Sequence, residues 1–143
     1  MKYHFKIHRE KSGFWAECLE LAGCRTQANS QVELFHNMSE ALNLFLSEPA
    51  DSKLFFPLPK KNPRSADTVA VNVRPGVAFA VILRRLRLRH GFTQKDVALK
   101  MGFKNLYSYQ RLENGKTANP ELATLVEIKK VFPEFSLDEI LAA

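Results

Sequence analysis

Cysteine is scarce in this 143-residue chain. Only Cys18 and Cys24 occur. They are not spaced as a CxxC pair, and no second cluster exists to complete a zinc site. They read as buried, reduced thiols acting as small hydrophobes, so a cytoplasmic protein is expected. Long apolar runs are missing too: none approaches the roughly 20 residues of a membrane span. The opening MKYHFKIHREKSG alternates apolar and polar residues, without the continuous apolar core of a signal peptide. No aspartate occurs in the first fifty residues. A two-metal nuclease needs several carboxylates converging on ions about 4 Å apart. The strand candidates are Glu17 and Glu20 alone, and an odd spacing turns them to opposite faces of a strand. They are expected to be solvated. His4 and His8 would lie roughly 13 Å apart along a strand, too far for one metal, and are expected on an exposed polar face. His36 has no evident partner. No serine or cysteine shows a base-and-orienter arrangement. No enzyme activity, metal or cofactor is expected.

What the chain does carry is a modest excess of basic charge, +6 with a pI near 9.5. Residues 1–66 hold nine basic and seven acidic residues, and 67–143 hold twelve and eight. The second half is the more basic, which suits a polyanionic partner.

Along the chain, Tyr3, Phe5 and Ile7 alternate with Lys2, His4, Lys6 and His8, the pattern of a half-buried strand. Phe14 to Leu19 predicts a second strand, and Cys24 to Ala28 a third, after turns at Lys11–Gly13 and Leu21–Gly23. Together they make an antiparallel meander. Ser30 and Glu33 form a capping box. They open a helix of roughly four turns with Val32, Leu34, Phe35, Met38, Leu42, Phe45 and Leu46 on its apolar stripe, ended by Pro49. Four prolines then mark a connector over 48–68, including Lys60, Lys61, Asn62 and Arg64. Leu54, Phe55, Phe56 and Leu58 are too apolar to float free and are expected to pack on the first domain. Val69, Val71 and Val73 alternate, predicting a fourth strand that joins either this sheet or another chain. The domains read as 1–58, a linker at 59–75 with a strand at 69–73, and 76–143.

The second half is helical. Val77 to His90 predicts a helix with Val81, Ile82, Leu83, Leu86 and Leu88 inside, and with at least half of Arg84, Arg85, Arg87 and Arg89 on a solvated face. Gly91 to Thr117 reads GFTQKDVALKMGFKNLYSYQRLENGKT. Thr93 caps a helix with Asp96 three residues on, and Gly102 supplies the left-handed backbone that ends it. A second short helix, Asn105 to Glu113, follows, stopped by Asn114–Gly115, which tolerate positive φ. Two short helices joined by a tight turn make a helix-turn-helix, whose second helix enters the DNA major groove. Tyr107 and Tyr109, two apart, cannot share a face; Tyr109 is expected inward beside Leu112 and Tyr107 outward. Asn119–Pro120 starts another helix carrying Leu122, Leu125, Val126, Ile128 and Val131. Ser136 and Glu139 cap a last one before Leu137, Ile140 and Leu141.

On Leu86, Gly91, Thr93–Gln94, Val97–Ala98, Gly102 and above all Leu112–Glu113–Asn114–Gly115–Lys116–Thr117, the chain resembles the Cro/C1-type (Xre) helix-turn-helix family over roughly residues 77–132. The resemblance implies a five-helix domain that binds operator double-stranded DNA. It implies phosphate contacts from Gln94, Ser108, Asn114 and Lys116, base-facing positions at Asn105, Leu106, Tyr107 and Arg111, and an internal ion pair of Arg87 with Glu113.

The first half resembles the HicB antitoxin family. The carrying pieces are the MKY strand, Gly13–Phe14–Trp15, Leu21–Ala22–Gly23–Cys24, Thr26–Gln27–Ala28 leading into a helix, Pro57–Leu58–Pro59 and the valine strand. This implies an α+β chain: a partial RNase H-like domain that binds and blocks a HicA-type mRNA-cleaving toxin, then the helix-turn-helix domain that represses the operon, with self-association as a dimer or tetramer. Phe14 and Trp15 are either core residues or anchors for the toxin, since large aromatics concentrate binding energy. The competing reading keeps the DNA-binding half and makes the first half a sensor of a small ligand.

Overall fold

A computed structural model describes residues 1–49, 52–61, 63 and 65–142. Asn62 and Arg64, counted above in the connector, lie outside the described residues. The chain divides into two compact units. One comprises Met1–Leu46, Phe56–Arg74 and Ala142; the other comprises Ser47–Phe55 and Pro75–Leu141. These bounds differ from the three segments read from sequence, because the connector is shared between the units.

In the first unit β1 (Lys2–Glu10), β2 (Gly13–Cys18), β3 (Arg25–Ala28) and β4 (Thr68–Asn72) form one antiparallel sheet in the order β3-β2-β1-β4. Of the two options left open, the valine strand therefore takes the first, joining this sheet with Tyr3 opposite Val71. The alternation does what it predicted: Tyr3, Phe5, Ala16, Cys18 and Val71 are buried on one face, where α1 (Gln31–Leu46) packs against β2, β3 and β4. The helix opens with Ser30 Oγ accepting the Glu33 N–H at 3.2 Å, while the Glu33 carboxylate accepts the Asn29 N–H. Leu34, Met38, Leu42 and Leu46 enter the core, each burial contributing on the order of 1.5–3 kcal/mol. Val32 and Phe35 do not: both are exposed, lying off the Leu34, Met38, Leu42 and Leu46 row that faces the core. Buried Asn43 takes part instead. Its Oδ1 accepts the Arg74 N–H at 2.8 Å, and its amide donates to Ser39 O.

Two further sequence expectations are corrected here. Glu20 is not a solvated strand carboxylate. It lies past the end of β2 with its side chain 1% exposed, and it accepts from His4 Nδ1 at 2.6 Å, from the His4 N–H and from the Lys60 N–H. His4 is accordingly held by Glu20 rather than exposed. His8 is half-buried, stacked on Trp15 with ring centroids 4.0 Å apart. The two thiols are free and buried. The connector packs in two directions: Phe56 meets Phe45 in the first unit, whereas Phe55 lies under the Arg85 guanidinium, 3.9 Å from its ring centroid, in the second.

The second unit contains α2 (Pro75–Arg89), α3 (Gln94–Lys100), α4 (Leu106–Gln110), α5 (Leu122–Val131) and α6 (Asp138–Leu141). Pro75 opens α2 as its first residue, where a missing N–H costs nothing. The helix α5 begins at Leu122 with Glu121 at its N-cap, not at Asn119–Pro120. Of its apolar residues only Ile128 is fully buried; Leu122 and Val126 are exposed. Before α6, Ser136 Oγ accepts the Asp138 N–H at 3.2 Å. Among the described residues no helix is long and apolar enough to cross a membrane.

Candidate nucleic-acid interface

The helix pair is set by its caps. Thr93 Oγ1 accepts the Asp96 N–H at 3.0 Å, and Asp96 Oδ2 accepts the Thr93 N–H at 2.8 Å, a complete capping box. Hydrogen bonds from the backbone and side chain of Thr93 hold the Asp96 carboxyl below its ordinary pKa. Gly102, at φ +75°, ends α3 in the left-handed region. Asn105 then caps α4, its Oδ1 accepting from both the Ser108 N–H and Ser108 Oγ at 2.9 Å.

Behind α4 lies a buried polar cluster. Glu113 is fully buried. Its carboxylate accepts from Arg87 Nε at 2.6 Å and Arg87 Nη2 at 3.1 Å, from the Tyr109 hydroxyl at 2.6 Å and from Gln94 Nε2 at 3.0 Å. Arg87 and Glu113 are thus paired in the bidentate manner that suits a planar guanidinium. Arg87 also donates to Phe92 O, fixing the turn between α2 and α3. Burial, then the neighbouring carboxylate, pushes the Tyr109 hydroxyl far above its ordinary pKa, so it stays a donor. Tyr109 points inward and Tyr107 outward.

Arg84 departs from its expected place on a solvated face. Its side chain is 2% exposed, and its Nη2 donates to the carbonyls of Glu48, Pro49 and Glu113. Burial lowers its pKa despite the nearby Glu113. A usable signal was in the sequence: Arg84 precedes Arg87 by three, so the two share a helix face.

The chain after α4 turns without positive φ, contrary to the expectation for Asn114–Gly115; Gly115 is not among the left-handed glycines. Space explains the glycine instead. A Cβ at Gly115 would stand 2.9 Å from Val77 Cγ2 and 3.0 Å from Val77 Cα, and one at Gly76 would stand 2.8 Å from Gly115 O. The LENG turn is therefore pressed directly onto the start of α2.

The outward residues follow from this frame. The regular helix is shorter than the predicted Asn105–Glu113, so Asn105 is its N-cap and Arg111 its C-cap. Leu106 is 40% and Tyr107 66% exposed. Arg111 is exposed, with its guanidinium 6.0 Å from the Tyr107 ring centroid. Ser108 is half-buried. Asn114 Oδ1 accepts the Lys116 N–H at 3.0 Å, and Thr117 Oγ1 donates to Arg111 O at 2.7 Å, so the loop that carries exposed Lys116 is tied to α4. The side chain of Gln94 turns inward: besides donating to Glu113, it accepts from Gln110 Nε2 at 3.2 Å. Gln110, which the sequence did not single out, thus links α4 to α3.

In the first unit Phe14 and Trp15 are half-buried and line a cleft of about 820 Å³ with Arg25, Gln27 and Glu33. In the second, a cleft of about 620 Å³ is lined by Leu122, Leu125, Val126, Phe135 and Leu137.

Residues 83–140 match the HTH_3 helix-turn-helix family. A Cro/C1-type helix-turn-helix domain is therefore present, the domain of a DNA-binding transcription regulator. No curated protein matches the chain.

Proposed function

We propose that the chain is an antitoxin and repressor: it binds and blocks a HicA-type mRNA-cleaving toxin through its first unit and represses the toxin's operon through its second. The observation that carries the DNA arm is the exposed face of α4, with Leu106, Tyr107 and Arg111 held outward by the buried Glu113 cluster. Asn105 stands beside them. Ser108, Asn114 and Lys116 meet backbone phosphates and set the register, while base edges supply specificity. Gln94 contributes through its bonds to Glu113 and Gln110, which aim α4, and its contact to a phosphate is the one the helix-turn-helix resemblance implies. The toxin arm is supported by the meander, helix and further strand that a partial RNase H-like domain requires, and by Phe14 and Trp15 on one cleft. The reading assigns the chain no catalytic step, metal or cofactor.

A single short helix gives limited affinity, so a second copy of the chain is expected, with half-sites about one helical turn apart. The apolar cleft of α5, with Leu122 and Val126 exposed, is its docking face. Co-expression with the neighbouring gene tests the toxin arm. A small basic protein should co-purify with the chain, and the complex should lose the RNA cleavage that the freed partner shows. If no such protein is captured, the antitoxin reading fails.

The 820 Å³ cleft falls within the ordinary range of small-molecule sites, roughly 300–1,000 Å³, and favours one second reading, an effector sensor joined to the same repressor. A metabolite that shifts DNA affinity in the absence of any protein partner would select it.

A further inference from the structure

The chemistry of the base edges that α4 accepts can be read from which donors and acceptors it leaves free. Asn105 caps the helix, and only its carbonyl oxygen can accept the Ser108 N–H. That oxygen also accepts Ser108 Oγ. The two amide N–H donors are what remains for a ligand. Pairing with adenine needs an acceptor for N6–H₂ as well as a donor for N7, and the acceptor is already committed. Arg111 carries donors only. Its backbone carbonyl is tied by Thr117, and its guanidinium lies near the Tyr107 ring, which restricts where the fork can point. From Lys104 to Arg111 the sequence is KNLYSYQR, with no carboxylate to accept from adenine N6 or cytosine N4. Gln110 could offer an acceptor, but its amide nitrogen donates to Gln94 and the side chain is half-buried. Leu106 presents apolar surface, which suits a thymine methyl.

We infer that this recognition surface favours base edges that present acceptors and no donor: guanine under Arg111, guanine or thymine under Asn105, with adenine, whose N6–H₂ finds no acceptor there, disfavoured at the Asn105 position. The inference rests on the reading of α4 as the DNA-contacting helix. It adds the chemistry of the half-site and makes Tyr107 a positioning residue for Arg111.

The test uses the full chain and duplexes selected by it from a randomised library. Replacing guanines of the selected half-site one at a time by 7-deazaguanine removes the N7 acceptor. At one position the wild-type chain should lose roughly tenfold in affinity, the scale of one charge-assisted hydrogen bond, and Arg111→Ala should show no further loss there. Tyr107→Ala should weaken the discrimination at that same position and leave the others unchanged. Asn105→Ser keeps a capping oxygen and removes the amide donors. Its melting temperature should match the wild type, while discrimination falls roughly fivefold to tenfold at a second position, one occupied by guanine or thymine. Adenine at the position that Asn105→Ser relaxes, or no position relaxed by either Asn105→Ser or Arg111→Ala, overturns the inference and leaves sequence-specific binding standing. A library from which no sequence is enriched overturns the DNA reading itself, and the inference with it.

Discussion

Glu113 holds the DNA-binding unit together from one atom pair. Its carboxylate receives four donors, two of them from Arg87, and Arg84 Nε stands 3.9 Å away. Removing one member of a buried ion pair leaves the other charge uncompensated. Glu113→Ala should therefore destabilise the unit by about 3–5 kcal/mol in a urea titration, with Glu113→Gln costing less because it keeps one acceptor. Glu20 gives a pH-dependent counterpart in the other unit. Burial raises its pKa, but donors from the His4 side chain, the His4 backbone and Lys60 outweigh this and hold it below the ordinary 4.5. A carboxylate with a depressed pKa contributes stability that is complete above its unfolded value and is lost as pH falls through the folded value. The wild-type chain should thus lose stability below about pH 4.5, and Glu20→Gln should flatten that acid limb of a stability–pH curve. At this scale the sequence was partly legible. The Arg87–Glu113 pair was implied by resemblance. Arg84 and Glu20 were not found, because four arginines on one helix and two carboxylates near one strand look solvated until their tertiary partners are known.

Among the elements, local chemistry was the most readable. The Thr93–Asp96 box, the Ser30 cap and the strand alternation act within a few residues, so the sequence contains their whole cause. Gly115 shows the limit. Its turn chemistry suggested positive φ, whereas the constraint is steric and comes from Val77, nearly forty positions earlier. The contact makes a sharp prediction. Gly76→Ala would drive a methyl into the Gly115 carbonyl, so it should cost about 1–3 kcal/mol by overpacking despite alanine's better helix propensity. Thermal melts of the two chains would show it, and an unchanged or raised melting temperature would count against the packing described. The helix α5 marks a second limit. Its apolar residues recur at helical spacing, yet Leu122 and Val126 face outward. A stripe that meets a partner has the same period as one that meets the core, so periodicity alone cannot separate them.

For the whole molecule, the α5 face and the α4 face should be separable by mutation. Leu122→Glu places a charge on the proposed self-association surface, at a residue 81% exposed, so folding should be little affected. Sedimentation should show a smaller species, and operator affinity should fall because the two half-sites are no longer held together. An unchanged mass would remove α5 from the interface. The domain plan was legible as a sheet half and a helical half. Phe55 and Phe56, adjacent in sequence, pack in different units. The pairing of β1 with β4 has a consequence for how the protein comes into being. Lys2 and Asn72 are register partners 70 positions apart, so the edge of β1 stays open until residue 72 has been synthesised. The helices close over much shorter separations, and local contacts form faster. The sheet begun first is therefore completed only as the helical unit starts to be made. During synthesis the nascent chain exposes an open edge of β1, carrying Tyr3 and Phe5, and an open strand edge is a point for capture by a chaperone or for aggregation.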